Sequence, residues 1–285
     1  MTTRQFSQVD VFSETPFGGN PVAVVHDADG MTDAEMAAFA RWTNLSETTF
    51  LVAPRDRNAD YGLRIFTPGG ELPFAGHPTL GSCHAWLERG GRPRDPDAIV
   101  QECGVGLVAL RRDGGRLAFA APPLRRTGPL DPETLDRVIA SLRVDASAIV
   151  GHQWIDNGPG WIGVLLDSAA SVLAIDPDFT AMRGLAVGVV GLHPDRGMDA
   201  AADAAFEVRG FVPDLGVPED PVTGSLNAGI AQWLITEGIA PSSYVAAQGR
   251  AVGRAGRIHI DQRDGETWVG GATVTRITGT LDPGD

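Results

Sequence analysis

The sequence holds only two cysteines, Cys83 and Cys103, in 285 residues. They form neither a CxxC pair nor a disulfide framework, which agrees with a reducing compartment and predicts two buried small apolar residues. No run of about 18 apolar residues exists to span a bilayer, so no membrane partner is expected. The opening MTTRQFSQVDVF lacks the charged, apolar and small-residue order of a secretory signal, so a cytoplasmic protein is expected. Basic charge is scarce: 23 Lys and Arg against 36 Asp and Glu leave a formal net charge of −13. That balance repels phosphate backbones, and nucleic acid is not an expected partner. The histidines (residues 26, 77, 84, 152, 193 and 259) show no HxH, HExxH or His/Cys spacing of a metal site. Neither a glycine fingerprint for dinucleotides nor a phosphate loop occurs, so no metal and no nucleotide cofactor is expected.

What is present is ordinary globular material, 43% hydrophobic and 21% charged, enough for one large domain or two modest ones. One stretch is written twice. ELPFAGHPTLG (Glu71 to Gly81) returns as EDPVTGSLNAG (Glu219 to Gly229), with Glu, Pro and both glycines repeating at an offset of 148. Upstream, RIFTP (Arg64 to Pro68) returns as RGFVP (Arg209 to Pro213) at an offset of 145, so three extra residues precede the second copy. Two ordered motifs, each a strand leading through a loop into a helix, predict a duplicated domain. The competing reading is two similar turns in one unrelated fold. The proline-rich APPLRRTGPLDP (Ala121 to Pro132) reads as the connection. We expect an N-terminal domain over residues 1–125 and a C-terminal domain over 126–285, whose last strand could return to the first.

Local patterns fill in the elements. β-Branched runs around SETPFGG predict opening strands in VDVF and NPVAVV. TDAEMAAFARWT (Thr32 to Thr43) opens with capping residues and carries Met36, Phe39 and Ala40 at helical spacing. TFLVAP and YGLRIFTP read as strands, HPTLGSCHAWLE as a helix, and GVGLVALRR with GRLAFAAP as a strand pair. In the second half, DPETLDRVIASL and SLNAGIAQWLITEG read as helices. WIGVLL, GLAVGVVGL, AAFEVRGFVP, GRIHI and TWVGGATVTRI read as strands.

In each copy a glycine precedes a helix, where unpaired N–H groups and the positive end of the helix dipole are exposed. Gly76 with His77, and Gly224 with Ser225, could present two helix starts to one cleft and hold a carboxylate without Lys or Arg. Asp220, His77 and Ser225 beside these starts offer an acid/base pair and a hydroxyl donor. Taken singly, Asp220 also fits a turn cap and His77 a satisfied buried imidazole. Glu47, in NLSETTF, stands where a carboxylate enters an apolar strand, a costly place unless the charge is paired or used. Its plainer reading is a solvent-facing junction residue.

FGGNPVAVV, NLSETTFLV, FTPGGELPFAGHPTLG, EDPVTGS and WVGGATV, in this order and nearly end to end, resemble the PhzF-like phenazine-biosynthesis isomerases, which are related to diaminopimelate epimerase. The resemblance implies an α+β fold of two pseudo-symmetric domains, each a curved mixed β-sheet wrapped around a central helix, with the active site between them. It puts the proton-transferring glutamate at Glu47, completes the catalytic set with His77, Asp220 and Ser225, and places Ser46, Gly76 and Gly224 where substrate is held. It implies a cofactor-independent, cytoplasmic homodimer that moves a proton on a small carboxylate-bearing substrate, as in the isomerisation of trans-2,3-dihydro-3-hydroxyanthranilate. The related epimerases use two cysteines, and the matching positions here are Ala75 and Thr223, so a two-thiol epimerisation is not available. Two alternatives stand beside this reading: an amino-acid racemase or epimerase using Glu47 with Asp220, and a binding protein that keeps the fold without catalysis.

Overall fold

Thr32 starts the first helix by a reciprocal pair of bonds. Its hydroxyl accepts from the backbone N–H of Glu35, and the Glu35 carboxylate accepts from the backbone N–H of Thr32 at 2.6 Å. Such a capping box satisfies two otherwise orphaned donors and contributes on the order of 1 kcal/mol. The computed structural model describes residues 3–95, 98–194, 204–215 and 217–282. The first half runs β1 (Arg4–Val11), β2 (Asn20–Val25), α1 (Asp33–Thr43), β3 (Glu47–Val52), β4 (Tyr61–Thr67), β5 (Gly70–Leu72), α2 (Gly76–Glu88), β6 (Ile99–Cys103), β7 (Gly106–Asp113) and β8 (Arg116–Ala120). It continues through α3 (Pro132–Leu142), β9 (Ile149–Trp154), β10 (Trp161–Leu166), α4 (Ala169–Ala174), β11 (Ala186–Leu192), β12 (Phe206–Val212) and β13 (Val217–Asp220). The chain closes with α5 (Gly224–Thr236), β14 (Ser243–Gln248), β15 (Gly256–Arg263), β16 (Glu266–Gly271) and β17 (Thr273–Leu281).

Two compact units result, the first made of Met1–Ala120 with Gly270–Asp285 and the second of Ala121–Val269. In the first, β17 pairs antiparallel with β1, and β1 antiparallel with β2. The ladder goes on β2 to β3 parallel, β3 to β4 antiparallel, β4 to β6 parallel, then β6 to β7 and β7 to β8 antiparallel. The second unit repeats the alternation: β9 to β10 antiparallel, β10 to β11 parallel, β11 to β12 antiparallel, β12 to β14 parallel and β14 to β15 antiparallel. β5 and β13 are short returns paired antiparallel with β4 and β12. The chain is therefore α+β, with one mixed-sheet topology used twice.

The period-two alternation of strand side chains sorts each unit into two faces. In the first, Val25, Phe50 and Phe66 pack with Met36 and Ala40 of α1. Thr49 points the other way, its hydroxyl 2.8 Å from that of Ser82 on α2. In the second, Ile162, Val164, Leu166, Val187, Val189 and Phe211 pack with α3 and α4, while Gly163, Gly188 and Gly210 take the face of α5.

The repeated glycines of the motif allow the inner helices to sit this close. A Cβ on Gly81 would lie 2.4 Å from Val22 Cγ1, and one on Gly229 would lie 2.6 Å from the Ile155 carbonyl oxygen. α2 and α5 are nearly wholly buried along their first two turns. The Thr67–Gly70 reversal between β4 and β5 is tight, whereas the three extra residues of the second copy accommodate a short 3-10 turn, Pro213–Leu215.

Candidate active site

Glu47 is the first residue of β3, immediately after α1 ends in a left-handed Asn44. Alternation puts Glu47 on the same face as Thr49, toward α2, so its side chain is only 15% exposed. The solvent-facing junction reading does not hold. Its Oε2 lies 3.4 Å from Nε2 of His77, which is itself buried on the first turn of α2.

On its other edge the imidazole has Nδ1 3.4 Å from Nδ2 of Asn20, and Asn20 Oδ1 accepts from the Ser46 hydroxyl at 3.2 Å. Asn20 opens β2 with no exposed surface. It is brought there by a glycine without room for a side chain: a Cβ on Gly19 would lie 2.1 Å from the Val11 carbonyl oxygen. Ser46, Glu47, Gly76 and His77 thus converge, and Asn20 joins them.

Burial pushes the His77 imidazole down to about 3, partly offset by a hydrogen bond with the Pro21 backbone. Desolvation disfavours the imidazolium, so the ring is neutral at physiological pH. The Glu47–His77 contact is then a 3.4 Å approach of a carboxyl group to a neutral imidazole and not an ion pair. Gly76 is the first helical residue, and the N-cap Ala75 supplies no side-chain bond to the helix start.

The second unit offers a different set on the same framework. Asp220 ends β13, and its Oδ2 accepts from the Thr223 hydroxyl at 2.6 Å. Gly224 opens α5, whose N-cap Thr223 makes no side-chain bond to the helix start. Ser225 is oriented from one side, because the Trp161 indole N–H can only donate and does so to Ser225 Oγ at 3.0 Å. Asn157 Nδ2 donates to the Ser225 carbonyl at 2.8 Å. The serine hydroxyl, accepting from the indole, keeps its own proton to give elsewhere.

Register equates the two halves residue by residue. Arg64 and Arg209 fork onto Glu71 and Glu219, with Nε–Oε1 distances of 2.8 and 2.9 Å and Nη2–Oε2 distances of 2.7 Å in both. Each guanidinium also lies over the phenylalanine two residues on, 5.1 Å from the Phe66 ring centre and 4.9 Å from that of Phe211. Thr49 pairs with Ile65 and Gly188 with Gly210, so Ala186 stands in the second unit where Glu47 stands in the first. Likewise Ser225 takes the place of His77, and Asp220 that of Leu72. The duplication has kept the scaffold and changed the polar side chains set on it.

His77, Asp220 and Ser225 occupy elements of the repeated motif, whereas Glu47 opens β3 ahead of it. Sequence reasoning missed Asn157, Trp161 and Gln248 as their partners; only Asn20 carried a signal, the Gly-Gly before it. Cys83 lies inside α2, fully buried, its thiol pushed up to about 12 mainly by desolvation, whereas Cys103 ends β6 and is only half-buried. A cavity of about 480 Å³ in the first unit, lined by Asp27, Asp60, Trp86 and Arg89 among others, contains none of the four acid/base and hydroxyl residues. Among the described residues no helix is long and apolar enough to cross a membrane.

A family model described as "Phenazine biosynthesis-like protein" matches residues 9–279. The chain is 36% identical to "Antisense-enhancing sequence 1" of Schizosaccharomyces pombe, over 98% of this chain and 99% of that one. It is 34% identical to the trans-2,3-dihydro-3-hydroxyanthranilate isomerase of Pseudomonas aeruginosa, over 88% and 87% of the two chains. Among solved structures it resembles a PhzF-family protein of Enterococcus faecalis, with a TM-score of 0.79 and 25% identity covering 99% of this chain and 100% of that one. In fold alone it resembles a hydroxyproline epimerase of Agrobacterium vitis, with a TM-score of 0.57 and 14% identity covering 98% and 92%.

Proposed function

The chain belongs to the phenazine biosynthesis-like family of isomerases, and on that premise we propose that it moves a proton between two carbons of a small carboxylate-bearing, unsaturated substrate without a cofactor. One observation carries the proposal: a largely buried carboxylate, Glu47, sits 3.4 Å from a neutral buried imidazole, His77. Glu47 takes the proton from an sp3 carbon beside the conjugated system, and the C–H electron pair enters that system. The protonated Glu47 then returns the proton to a different carbon as the electrons shift back. One carboxyl group serves both transfers, so substrate and product differ only in where one hydrogen and the double bonds lie.

His77, Asp220 and Ser225 handle the polar hydrogens and the charge that develops meanwhile. The start of α2 at Gly76 and that of α5 at Gly224 are each left uncapped by a side chain, and backbone N–H groups of this kind suit a substrate carboxylate. Ser46 contributes a hydroxyl beside Glu47. The chain contains no lysine, so a lysine Schiff base cannot serve as the electron sink. As a further part of this reading the protein is a homodimer, and sedimentation at micromolar concentration should find twice the 30.0 kDa chain mass.

The test is turnover in heavy water with trans-2,3-dihydro-3-hydroxyanthranilate and a panel of amino acids. The isomer with hydrogen placed at the remote carbon is expected, deuterated there to the extent that protonated Glu47 exchanges with solvent before it returns the proton. Label at an amino acid's α-carbon with loss of chirality would make the protein a racemase instead, and neither product nor label from any compound would favour a binding protein. With the accepted substrate, Glu47→Gln should bind normally and turn over at least about a hundredfold more slowly. Unchanged turnover would remove Glu47 from the mechanism.

A further inference from the structure

Asp220 is braced by side chains that the sequence pattern does not connect with it. Gln248 ends β14 almost fully buried, and backbone groups assign its amide. Oε1 accepts from the Thr223 N–H at 3.0 Å, a group that can only donate. Nε2 donates to the Asp220 carbonyl at 3.1 Å, a group that can only accept. Asn227 is assigned the same way, its Nδ2 donating to the Thr223 carbonyl at 2.9 Å and to Gln248 Oε1 at 2.8 Å.

With both amides oriented, Gln248 Nε2 faces the Thr223 hydroxyl at 2.9 Å as a donor. The hydroxyl oxygen receives that bond, and its own proton cannot go back to Gln248. Among the described residues its acceptor is Asp220 Oδ2, at 2.6 Å.

We propose that Thr223 is a positioning residue whose donated hydroxyl keeps Asp220 Oδ2 a permanent acceptor and confines the exchangeable proton of Asp220 to Oδ1. Of the two carboxylate oxygens, Oδ1 is then the one that transfers a proton. The consequence for turnover rests on reading Asp220 as a proton-handling group, but the orientation of the hydroxyl does not. This also gives the N-cap position of α5 a purpose: Thr223 leaves its helix uncapped and spends its hydroxyl on Asp220.

The experiment follows the carboxyl carbon of Asp220 by NMR in the intact protein labelled with 13C-aspartate, with the signal assigned through Asp220→Asn and the pH varied. A hydrogen bond to the ionised form favours that form, so Thr223→Val should move the Asp220 titration to higher pH by about one unit. Thr223→Ser, which restores the hydroxyl, should titrate as the native protein does. Gln248→Met cuts the same buried network but leaves the hydroxyl Asp220 as its acceptor. It should lower the melting temperature as Thr223→Val does, yet leave the titration in place.

Charged groups on the surrounding elements include Glu219 of the same strand, paired with Arg209 of β12, Arg254, whose Cβ would crowd a side chain on Gly249, Arg250 two residues beyond Gln248, and Arg257 of β15, which pairs with Ala247. None is altered in these variants. An unmoved titration in folded Thr223→Val overturns the proposal, as does an equal shift in Gln248→Met or a failure of Thr223→Ser to restore it. Because the readout needs no substrate, these results stand whether or not Asp220→Asn abolishes turnover, which separately tests the proposed reaction.

Discussion

His77 and His26 are both interior to the first unit, and desolvation lowers both, His77 to about 3 and His26, with Arg89 adding to the effect, to about 4. An unfolded chain would protonate them near 6.5. Between the folded and unfolded values the unfolded chain therefore binds more protons, and acid favours unfolding. Their stabilisation is complete above about 6.5 and is lost as the pH falls, at about 1.4 kcal/mol per pH unit for each ring. Urea midpoints should accordingly drop from pH 7 to pH 5. His26→Gln should flatten that slope while activity persists, because His26 bonds Ser7 and not the site; an unchanged slope would refute the burial account. For the reaction, a neutral His77 predicts no histidine limb in kcat/KM between about pH 5 and 8, a profile that one series of initial rates would check.

At the level of elements, the duplicated Arg–Glu fork sits in two environments. The Arg209 and Glu219 side chains are 6% and 8% exposed, and Arg209 Nη1 also donates to the Ile175 carbonyl at the end of α4. Arg64 and Glu71 are 25% and 43% exposed. Breaking a buried pair strands its partner, so Arg209→Gln should cost about 3–5 kcal/mol in urea unfolding. Arg64→Gln should cost at most about 1 kcal/mol, since water screens and solvates what is left. Similar losses in both would mean that the fork, and not its burial, governs the energy. The helix packing is as sharply defined: Gly229→Ala drives a methyl against the Ile155 carbonyl, and overpacking of this kind costs about 1–3 kcal/mol.

For the whole molecule, the second unit is one continuous segment while the first borrows Gly270–Asp285 from the far end of the chain. β17 pairs with β1 along the full length of β1, Arg4 to Val11. Deleting residues 270–285 would turn β1 into a bare edge carrying the buried Val9 and Val11, a template for intermolecular pairing. The shortened chain should therefore partition into the insoluble fraction on expression; a soluble, folded product would show that β17 is dispensable. The formal net charge of −13 disfavours polyanionic partners, and under the proposed function a substrate carboxylate would be met by local backbone N–H groups and not by a general positive field.

The sequence alone determined the duplication, the paired helix starts at Gly76 and Gly224, and the capping of α1, because repeats, glycines and caps are written in neighbouring residues. It placed the repeated glycines just before the helices, whereas each is the first helical residue. It passed over β5, β6, β9, β13, β14 and α4, elements of three to six residues whose existence depends on partners distant in the chain. Only the tertiary structure decided that Glu47 faces α2 and not water. A shift of one residue in β3 would have turned it to the other face, and the pairing of Val22 with Glu47 sets that register. The same holds for Gln248, which reaches Thr223 across 25 residues, and for Trp161, which reaches Ser225 across 64. No local pattern encodes such bonds, since sheet pairing and helix packing bring those side chains together only once the chain has folded.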